Sequence, residues 1–248
     1  MSQLRTVIGT PEGKAPYVRR LFATIADRYD LITVLLSYGQ DRRWKRRLVA
    51  LAGPASGRRA LDLACGTGDI TFLLADGGVL VVGLDLTARM VEIARGKTRS
   101  RDANSGRATF LVGDMIALPF ADRQFDIVTT GYGLRNVPDL TRAITEARRV
   151  LAPGGRLLSL DFNRPASSVV RTAYHAYLSV TGSLLGWVLH RDPDTYRYIP
   201  ESIRHYPGAR AGVGLLQQAG FEDARWHPVL GGLMAIHVAR VPYSDTQV

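Results

Sequence analysis

Short β-rich runs alternate with helical stretches between residues 60 and 162, and this alternation constrains the fold more than any other feature of the chain. The predicted strands are Ala60–Ala64, Val79–Asp85, Ala108–Gly113, Phe125–Thr130 and Arg156–Phe162. The segments between them with a helical spacing of apolar residues are Asp69–Ala75, Thr87–Lys97 and Leu140–Leu151. Such an alternation is typical of a parallel sheet with helices on both faces.

The C-terminal part of the chain predicts a different kind of pairing. A helix near Gly212–Ala219 precedes two β-rich runs, Asp223–Val229 and Leu233–Val241. Gly231-Gly232 between these runs is a hairpin signal. We therefore predict an α/β fold: a doubly wound, mostly parallel seven-stranded sheet closed by an antiparallel C-terminal hairpin. Plain dinucleotide-binding folds, whose sheets stay parallel to the edge, fit this pattern less well.

By composition, the chain divides into a short arm and one domain. We predict a flexible arm over residues 1–15, rich in Gly, Pro and Thr, and a single domain over residues 16–248. Within that domain, residues 16–54 form a helical cover that ends at Gly53-Pro54, and residues 167–207 form an unusually apolar helical insert. The 248 residues, of which 46% are apolar, suit one core of this size.

The sequence disfavours both a membrane-spanning and a secreted protein. Its longest apolar region, Val169–Leu189, is interrupted by Arg171 and His175, whereas a spanning helix needs about 20 predominantly apolar residues. The chain does not start with a signal-peptide pattern, and its single cysteine, Cys65, cannot form an intrachain disulfide. We expect a cytoplasmic protein, or one that rests on the inner face of the membrane.

Positive charge is concentrated at the N-terminus. Residues 1–60 contain twelve Lys or Arg against four Asp or Glu, within a net charge of +10. A basic face of this kind could meet nucleic acid or anionic lipid, or it could be a solvated helix surface. Charge alone does not choose between these interpretations.

A glycine-containing turn, Gly66-Thr67-Gly68, follows the first predicted strand and precedes the first predicted helix. Glycines at this place let a ligand approach the backbone at the carboxyl end of the strand. The third glycine of a dinucleotide fingerprint would fall at Thr71, so that fingerprint is incomplete. Asp62 and Asp69 flank the turn, where they would repel a diphosphate and favour a cationic ligand.

Acidic residues at the ends of the next two strands complete a candidate adenosine site. Asp85, 19 residues beyond Gly66, is placed to accept hydrogen bonds from ribose hydroxyls. Asp114 offers a carboxylate to an adenine amino group, and Met115 offers an apolar wall. Helix capping by Asp62 or Asp85 and core packing by Met115 remain open. Their coincidence at the strand ends favours S-adenosylmethionine, which carries positive charge, over NAD.

Cysteine and histidine chemistry finds little support in the sequence. Cys65 has no histidine near it along the chain, so we do not expect it to act as a nucleophile. The five histidines show no metal-ligand spacing, so we predict no metal site.

Several segments together carry a family resemblance. They are Tyr29-Asp30 with Ser37 and Trp44, the Asp62–Asp69 loop, Ala117-Leu118-Pro119-Phe120 leading to Phe125-Asp126, Gly133-Leu134-Arg135-Asn136-Val137, Arg149–Gly155, and Tyr196-Arg197-Tyr198 with Glu201-Ser202-Ile203. With them the chain resembles the class I S-adenosylmethionine-dependent methyltransferases, which have a Rossmann-like fold, and specifically the ubiquinone/menaquinone biosynthesis C-methyltransferases. The resemblance runs from about Val18 to Val241, and its most specific motif is Gly-Leu-Arg-Asn.

The resemblance implies cofactor contacts at the loop and at the strand ends. With the loop residues argued above, the candidate cofactor-binding set is Asp62, Gly66, Thr67, Gly68, Asp85, Leu86, Asp114, Met115 and Gly131. This chain departs from the family pattern at several places, mostly on the cover and the substrate side. They are Gly131 for Ser, Thr33 for Asn, Asp41 for His, and Asp161-Phe162-Asn163 for Glu-x-Ser.

The reaction implied by the resemblance is methyl transfer to a ring carbon of a prenylated quinol, with demethylmenaquinol to menaquinol as the first expectation. A ring carbon is a poor nucleophile unless the neighbouring hydroxyl loses its proton, and a nearby cation favours that loss. We expect Arg135 to supply the cation, Asn136 to position the ring and Tyr29 to cover the pocket. Arg135 could equally pin the loop after the fourth strand to the sheet, and the sequence identifies no catalytic base.

Several alternatives stay open at this point. The substrate could be 2-methoxy-6-polyprenyl-1,4-benzoquinol, of the ubiquinone branch, or another small molecule, and the chain could bind S-adenosylmethionine without catalysis. The apolar insert could hold a prenyl tail, rest on a membrane, pack on the sheet or form a homodimer. Gly131-Tyr132-Gly133 differs from the loop expected of an enzyme that acts on flipped bases, so we expect no nucleic acid partner.

Overall fold

Seven strands form one sheet in the order β3-β2-β1-β4-β5-β7-β6. The computed structural model describes residues 8–53, 56–101, 107–165, 167–191 and 195–243. The strands are β1 Arg59–Leu63, β2 Leu80–Asp85, β3 Ala108–Val112, β4 Phe125–Gly131, β5 Leu151–Phe162, β6 Glu222–Val229 and β7 Met234–Arg240. Strands β1 to β5 pair in parallel, and β7 pairs antiparallel with both β5 and β6. The predicted sheet with its C-terminal hairpin is confirmed.

Helices cover both faces of the sheet. They are α1 Pro11–Ile25, α2 Tyr29–Leu36, α3 Asp41–Ala52, α4 Asp69–Asp76, α5 Ala88–Arg99, α6 Leu140–Val150, α7 Ser168–His190, α8 Tyr198–His205 and α9 Ala209–Gln218. Because side chains alternate along a strand, neighbouring residues of β1 enter different cores. Ala60 packs with α3 and α4, and Leu61 packs with α6 and α9.

The N-terminal helix begins earlier than the sequence predicted. We expected a flexible arm over residues 1–15, but residues 11–15 are helical and residues 1–7 lie outside the described part of the chain. Thr10 supplies the reason, because its side chain accepts a hydrogen bond from the backbone N–H of Gly13 at 3.3 Å and caps the helix. Helix α3 ends at Gly53, which adopts the left-handed conformation.

Strand β5 also begins earlier than predicted. The sequence predicts a strand over Arg156–Phe162, but the observed strand already includes Pro153-Gly154-Gly155. Leu151 pairs with Phe125 and Arg156 pairs with Ile127, so the extra residues form an irregularity in the ladder. Gly154 adopts a φ of +75° there, which glycine tolerates without strain.

The apolar insert folds as α7 and α8 and lies beside the N-terminal cover. Ile25 and Ile32 of the cover share a buried cluster with Tyr196, and Leu185 of α7 packs against it. The apolar insert and the N-terminal cover therefore pack against each other. Within the described residues, none of the helices combines the length and the apolar character needed to cross a membrane.

Candidate active site

The first of two neighbouring cavities lies at the carboxyl ends of the central strands, beneath the N-terminal cover. Of the predicted cofactor-binding residues, those that line it are Gly66, Asp85, Leu86, Asp114, Met115 and Gly131. Ala15, Val18, Phe22 and Tyr29 of the cover close it from above. Among the described residues that line this cavity there is no Lys or Arg. Its charged groups are carboxylates, so the cavity suits a cationic ligand better than a diphosphate.

Asp85 is held in place by the backbone of the glycine turn. Its Oδ2 accepts the N–H of Gly66 at 2.9 Å, and its Oδ1 accepts the N–H of Thr87 at 2.8 Å. Burial raises the pKa of this carboxyl, and the two backbone hydrogen bonds oppose that rise. Each carboxylate oxygen keeps a further lone pair for a ribose hydroxyl. Asp85 therefore bonds Thr87 at the start of α5 and also faces the cavity, so the two interpretations left open by the sequence coexist.

Three of the predicted cofactor contacts do not line this cavity. Asp62 projects beneath the turn, where its carboxylate accepts hydrogen bonds from Thr71 Oγ1 at 2.7 Å and Thr129 Oγ1 at 2.8 Å. Thr67 Oγ1 donates to Asp30 Oδ1 on α2 at 2.5 Å and so ties the turn to the cover. Gly68 has a φ of +93°, and a side chain there would meet Phe72 at 2.8 Å. These residues shape the turn rather than the lining.

The described part of the cavity lining offers a fitting place for each portion of S-adenosylmethionine. Asp85 stands where ribose hydroxyls are expected and Asp114 where an adenine amino group is expected. Met115 is 7% exposed and presents an apolar wall. Gly133 leaves no room for a side chain, because a Cβ there would lie 2.4 Å from Thr130 Oγ1. The residues present therefore match the cofactor that the sequence predicted.

A second cavity of about 630 Å³ adjoins the first and is mostly apolar. Its walls come from α1, α2, α7, α8 and the hairpin between β6 and β7. Phe22, Tyr29 and Tyr132 line both cavities and therefore lie at their junction. Within the described lining, Arg135 is its only charged side chain. A small molecule bound here would meet a ligand of the first cavity at this junction.

Arg135 and Asn136 lie at the boundary between the two cavities. Arg135 is 7% exposed and lines the second cavity, and its Nη1 donates to Asn136 Oδ1 at 2.7 Å. Its Nε lies 3.2 Å from Asp161 Oδ1 on β5, an ion pair without hydrogen-bond alignment. Asn136 lines the first cavity and also accepts a hydrogen bond from Tyr198 Oη at 3.1 Å. Arg135 therefore has both properties that the sequence left open: it is pinned to the sheet, and it faces the second cavity.

A buried network behind Tyr132 escaped sequence analysis. Tyr132 Oη donates to Asp41 Oδ1 at 2.6 Å, and Lys45 Nζ lies 2.6 Å from Asp41 Oδ2 and 2.8 Å from Asp69 Oδ2. Burial lowers the pKa of Lys45, but Asp41 and Asp69 together raise it above its usual value. The sequence marked Asp41 only as a departure from the family pattern, since no spacing indicates a partner 91 residues away.

Cysteine and metal chemistry gain no support from the structure. Cys65 is buried, and burial raises the pKa of its thiol, which opposes formation of the nucleophilic thiolate. Over the described ranges, His, Cys, Asp and Glu side chains form no group of three that could hold a metal ion.

Known proteins resemble this chain over most of its length. Residues 10–240 match the model of the ubiE/COQ5 methyltransferase family. The chain is 40% identical to the ubiquinone/menaquinone biosynthesis C-methyltransferase UbiE of Pseudomonas paraeruginosa, over 90% of this chain and 88% of that protein. It is 41% identical to the demethylmenaquinone methyltransferase of Thermus thermophilus, over 90% of this chain and 100% of that protein.

The fold is also similar to solved structures. A SAM-dependent methyltransferase from Thermotoga maritima superposes with a TM-score of 0.63, over 90% of this chain and 99% of that one. At 18% identity, this likeness concerns the fold alone.

Proposed function

Because this chain belongs to the ubiE/COQ5 methyltransferase family and is a C-methyltransferase dependent on S-adenosylmethionine, we propose that it methylates a ring carbon of a prenylated quinol in respiratory quinone biosynthesis. Demethylmenaquinol is the proposed substrate and menaquinol the product. The observation that carries the proposal is the pair of adjoining cavities. One is lined by carboxylates and suits the charged cofactor, and the other is large, apolar and contains one cation.

The chemistry requires a cation beside the substrate. S-adenosylmethionine supplies an electrophilic methyl group on a sulfonium. A phenol-like hydroxyl has a pKa of about 10, so roughly one molecule in a thousand is ionised at neutral pH. A cation within about 4–6 Å lowers such a pKa by about one to three units. Arg135 is the cation in the described lining of the cavity expected to hold the ring, and we assign it this role.

Atoms and charges balance in the proposed reaction. With S-adenosylmethionine bound, the phenolate form of the ring would attack through carbon. A carbon–carbon bond would form as the carbon–sulfur bond breaks, and the ring carbon would then lose its hydrogen as a proton. The net products are the methylated quinol, S-adenosylhomocysteine and one proton. Phe22, Tyr29 and Tyr132 would surround the transferring methyl group with aromatic side chains, because they line both cavities. Asn136 accepts a hydrogen bond from the guanidinium of Arg135 and so holds it in place.

The lining of the second cavity favours a two-ring naphthoquinol over a benzoquinol. Trp44, Phe162 and Tyr132 supply flat apolar surfaces, which stack well on an extended aromatic system. Relatives of this chain are named for both branches, so the test must include both rings.

Methyl transfer to short-tailed demethylmenaquinol and to a short-tailed 2-methoxy-benzoquinol, both kept reduced, tests this function. We expect the naphthoquinol to be methylated at carbon with the higher kcat/KM. A higher kcat/KM for the benzoquinol would assign the ubiquinone branch instead. Binding of S-adenosylmethionine in calorimetry without turnover of either quinol would overturn the proposal and indicate a protein that only binds the cofactor.

A further inference from the structure

The outward side of α7 is apolar along the whole helix. Val169, Val180, Leu184 and Trp187 recur on this side, and Val180 and Trp187 are 69% and 64% exposed. The small exposed residues between them, Ala173 and Ala176, are also apolar. Exposed apolar stripes of this length on a surface helix mark an interaction surface.

Helix α2 extends this apolar surface. Leu31, Val34 and Leu35 are exposed on it, and the ring of Tyr38, just beyond it, stacks on Tyr177 of α7 at a centroid distance of 6.4 Å. Eleven of the fifteen most exposed large apolar side chains in the described part of the chain lie on α2, the turn after it, α7 or the β6–β7 hairpin. We call this set the apolar face. It consists of Leu31, Val34, Leu35, Tyr38, Val169, Val170, Val180, Leu184, Trp187, Val188 and Leu230.

The second cavity opens through the apolar face. Tyr38, Val169, Val170 and Leu230 are all exposed and also line that cavity. They come from three separate elements and together form an apolar rim. A molecule with a long apolar tail could therefore pass from an apolar medium into the cavity without crossing water.

Arginine side chains flank the apolar face. Arg164, Arg171 and Arg204 line a groove beside α7, together with His175. Glu201 is the nearby carboxylate, and its Oε2 lies 3.2 Å from Arg204 Nη1. This flank of α7 therefore carries excess positive charge.

Arginines also stand at two further edges of the apolar face. Arg28 donates to the carbonyl of Leu189 at the end of α7, and Arg47 donates to the carbonyl of Pro228 at 3.1 Å, beside the hairpin. Asp30, next to Leu31, is already paired with Lys97 at 2.6 Å. The apolar face is thus bordered by cations on several sides.

We propose that the apolar face docks on an anionic lipid bilayer, with the α7 stripe inserted among the acyl chains and the flanking arginines on lipid phosphates. A substrate whose prenyl tail is dissolved in the bilayer then reaches the second cavity through the apolar rim, a step that rests on the proposed function. Lys and Arg near an anionic surface each add about 1 kcal/mol of attraction, which is about fivefold in partitioning. An anionic bilayer matches both the positive charge of the flanks and the apolar character of the face.

A second copy of the chain fits this face less well. In a twofold dimer the same surface meets itself, so the arginine flanks would oppose arginine flanks and repel each other. Such a dimer would also cover the rim of the second cavity. An anionic bilayer complements the charge and leaves the route into the cavity open to its own lipids.

Vesicle flotation tests the docking face without measuring methyl transfer. The protein is mixed with phosphatidylcholine vesicles that contain either no phosphatidylglycerol or a large fraction of it. We expect the wild type to float with the anionic vesicles, and the double variant Val180→Glu/Trp187→Glu to lose at least tenfold in partitioning, since two large apolar side chains no longer insert. Leu80→Glu is the matched control, because Leu80 is 43% exposed and lies outside the apolar face.

The arginine flank is tested by Arg164→Gln/Arg171→Gln. We expect this variant to lose more than tenfold in partitioning to anionic vesicles and to show a weaker dependence on salt. Wild type that stays unbound, or binds no better than Val180→Glu/Trp187→Glu, would overturn the docking face. Equal wild-type binding to neutral vesicles would overturn the role of the arginines. A concentration-dependent dimer that the double Glu variant abolishes would assign the face to a second copy.

Two further readouts separate docking from folding and from the proposed function. Thermal unfolding and S-adenosylmethionine affinity should match the wild type in every variant, since the substituted side chains lie outside the first cavity. In vesicles with bromine on the acyl chains, Trp187 fluorescence should be quenched, and Trp187→Phe should remove that quenching. Methylation of a short-tailed quinol in detergent should survive the loss of vesicle binding. If the wild type did not methylate the short-tailed quinol in detergent, this result would contradict the proposed function and would not affect the docking face.

Discussion

Arg135 combines a structural contact with the chemical role that we propose for it. It pairs with the buried Asp161 and faces the second cavity. We expect Arg135→Ala to reduce kcat by about tenfold to a thousandfold, because the cation that favours the phenolate is lost. The affinity for S-adenosylmethionine should change less than about threefold, because Arg135 does not line the first cavity. Steady-state kinetics and calorimetry check the two quantities separately.

A control variant is needed because Asp161 would lose its partner. A buried carboxylate left unpaired costs about 3–5 kcal/mol of stability, which could abolish turnover through unfolding. Arg135→Ala/Asp161→Asn removes that unpaired charge and should recover most of the stability without recovering kcat. Recovery of kcat together with stability would show that Arg135 only pins the loop.

The raised pKa of Asp62 predicts that the folded protein loses stability as pH rises. Burial raises the pKa of its carboxyl to about 6, although hydrogen bonds from Thr71 and Thr129 lower it in part. The folded protein therefore holds this proton more tightly than the unfolded chain, where the pKa is about 4. The free energy of unfolding should fall as pH rises from about 4 to about 6, by about 3 kcal/mol relative to Asp62→Asn. Chemical denaturation of both proteins across this range measures the difference, and a constant difference would contradict the assignment.

At the scale of elements, the cover formed by α1 and α2 controls entry to the first cavity. About 80 Å³ remains open beneath it, whereas sites for ligands of this size are usually about 300–1,000 Å³. We therefore expect the cover to move outward when the cofactor enters. Two polar contacts hold α2 to the glycine turn and to α5, from Thr67 Oγ1 to Asp30 at 2.5 Å and from Lys97 Nζ to Asp30 at 2.6 Å.

We expect backbone amides of α1 and α2 to exchange with solvent faster than those of α3, and to slow several-fold when S-adenosylmethionine binds. Asp30→Ala cuts both ties and should speed exchange in the cover of the ligand-free protein. Asp76→Ala is the matched control, because it breaks a pair with Arg101 that involves neither α1 nor α2. If neither the ligand nor Asp30→Ala changed the amide exchange rates in α1 and α2, the prediction of a moving cover would be wrong.

The strands of the sheet were predictable because the local sequence pattern of each one matches the place that it takes in the fold. The strands follow from β-rich runs, and the loop residues Gly66, Asp85 and Asp114 are brought together because parallel strands end at one edge. The start of α1 was missed although its signal is local. The side chain of Thr10 caps this helix, whereas composition predicted a flexible arm there. Side-chain direction was missed as well, because Asp62 precedes the turn in sequence but projects beneath it.

At the scale of the whole molecule, the second cavity could not be located from the sequence. It is assembled from α1, α2, α7, α8 and the β6–β7 hairpin, and no periodicity reports how these elements meet. Tyr132 and Asp41 show the same limit, since their hydrogen bond at 2.6 Å exists only because α3 packs against the sheet beside β4. The apolar character of the insert was visible in the sequence. Which side of α7 faces outward was not.

The charge of the first cavity predicts how ligands stabilise the whole protein. Asp85 and Asp114 face it, and its described lining contains no Lys or Arg, so a sulfonium ligand should bind and a dinucleotide diphosphate should not. A ligand at 100 times its Kd adds about 2.7 kcal/mol to the free energy of unfolding, which raises the Tm of a protein this size by about 5–10 °C. Differential scanning calorimetry should show this rise with S-adenosylmethionine and no measurable rise with NAD. Residues of the cover and of the strand ends both line the cavity. We therefore expect a single thermal unfolding transition, and we expect ligand binding to shift it as a whole. Two transitions would contradict the prediction of a single domain, and stabilisation by NAD alone would contradict the assignment of the cavity.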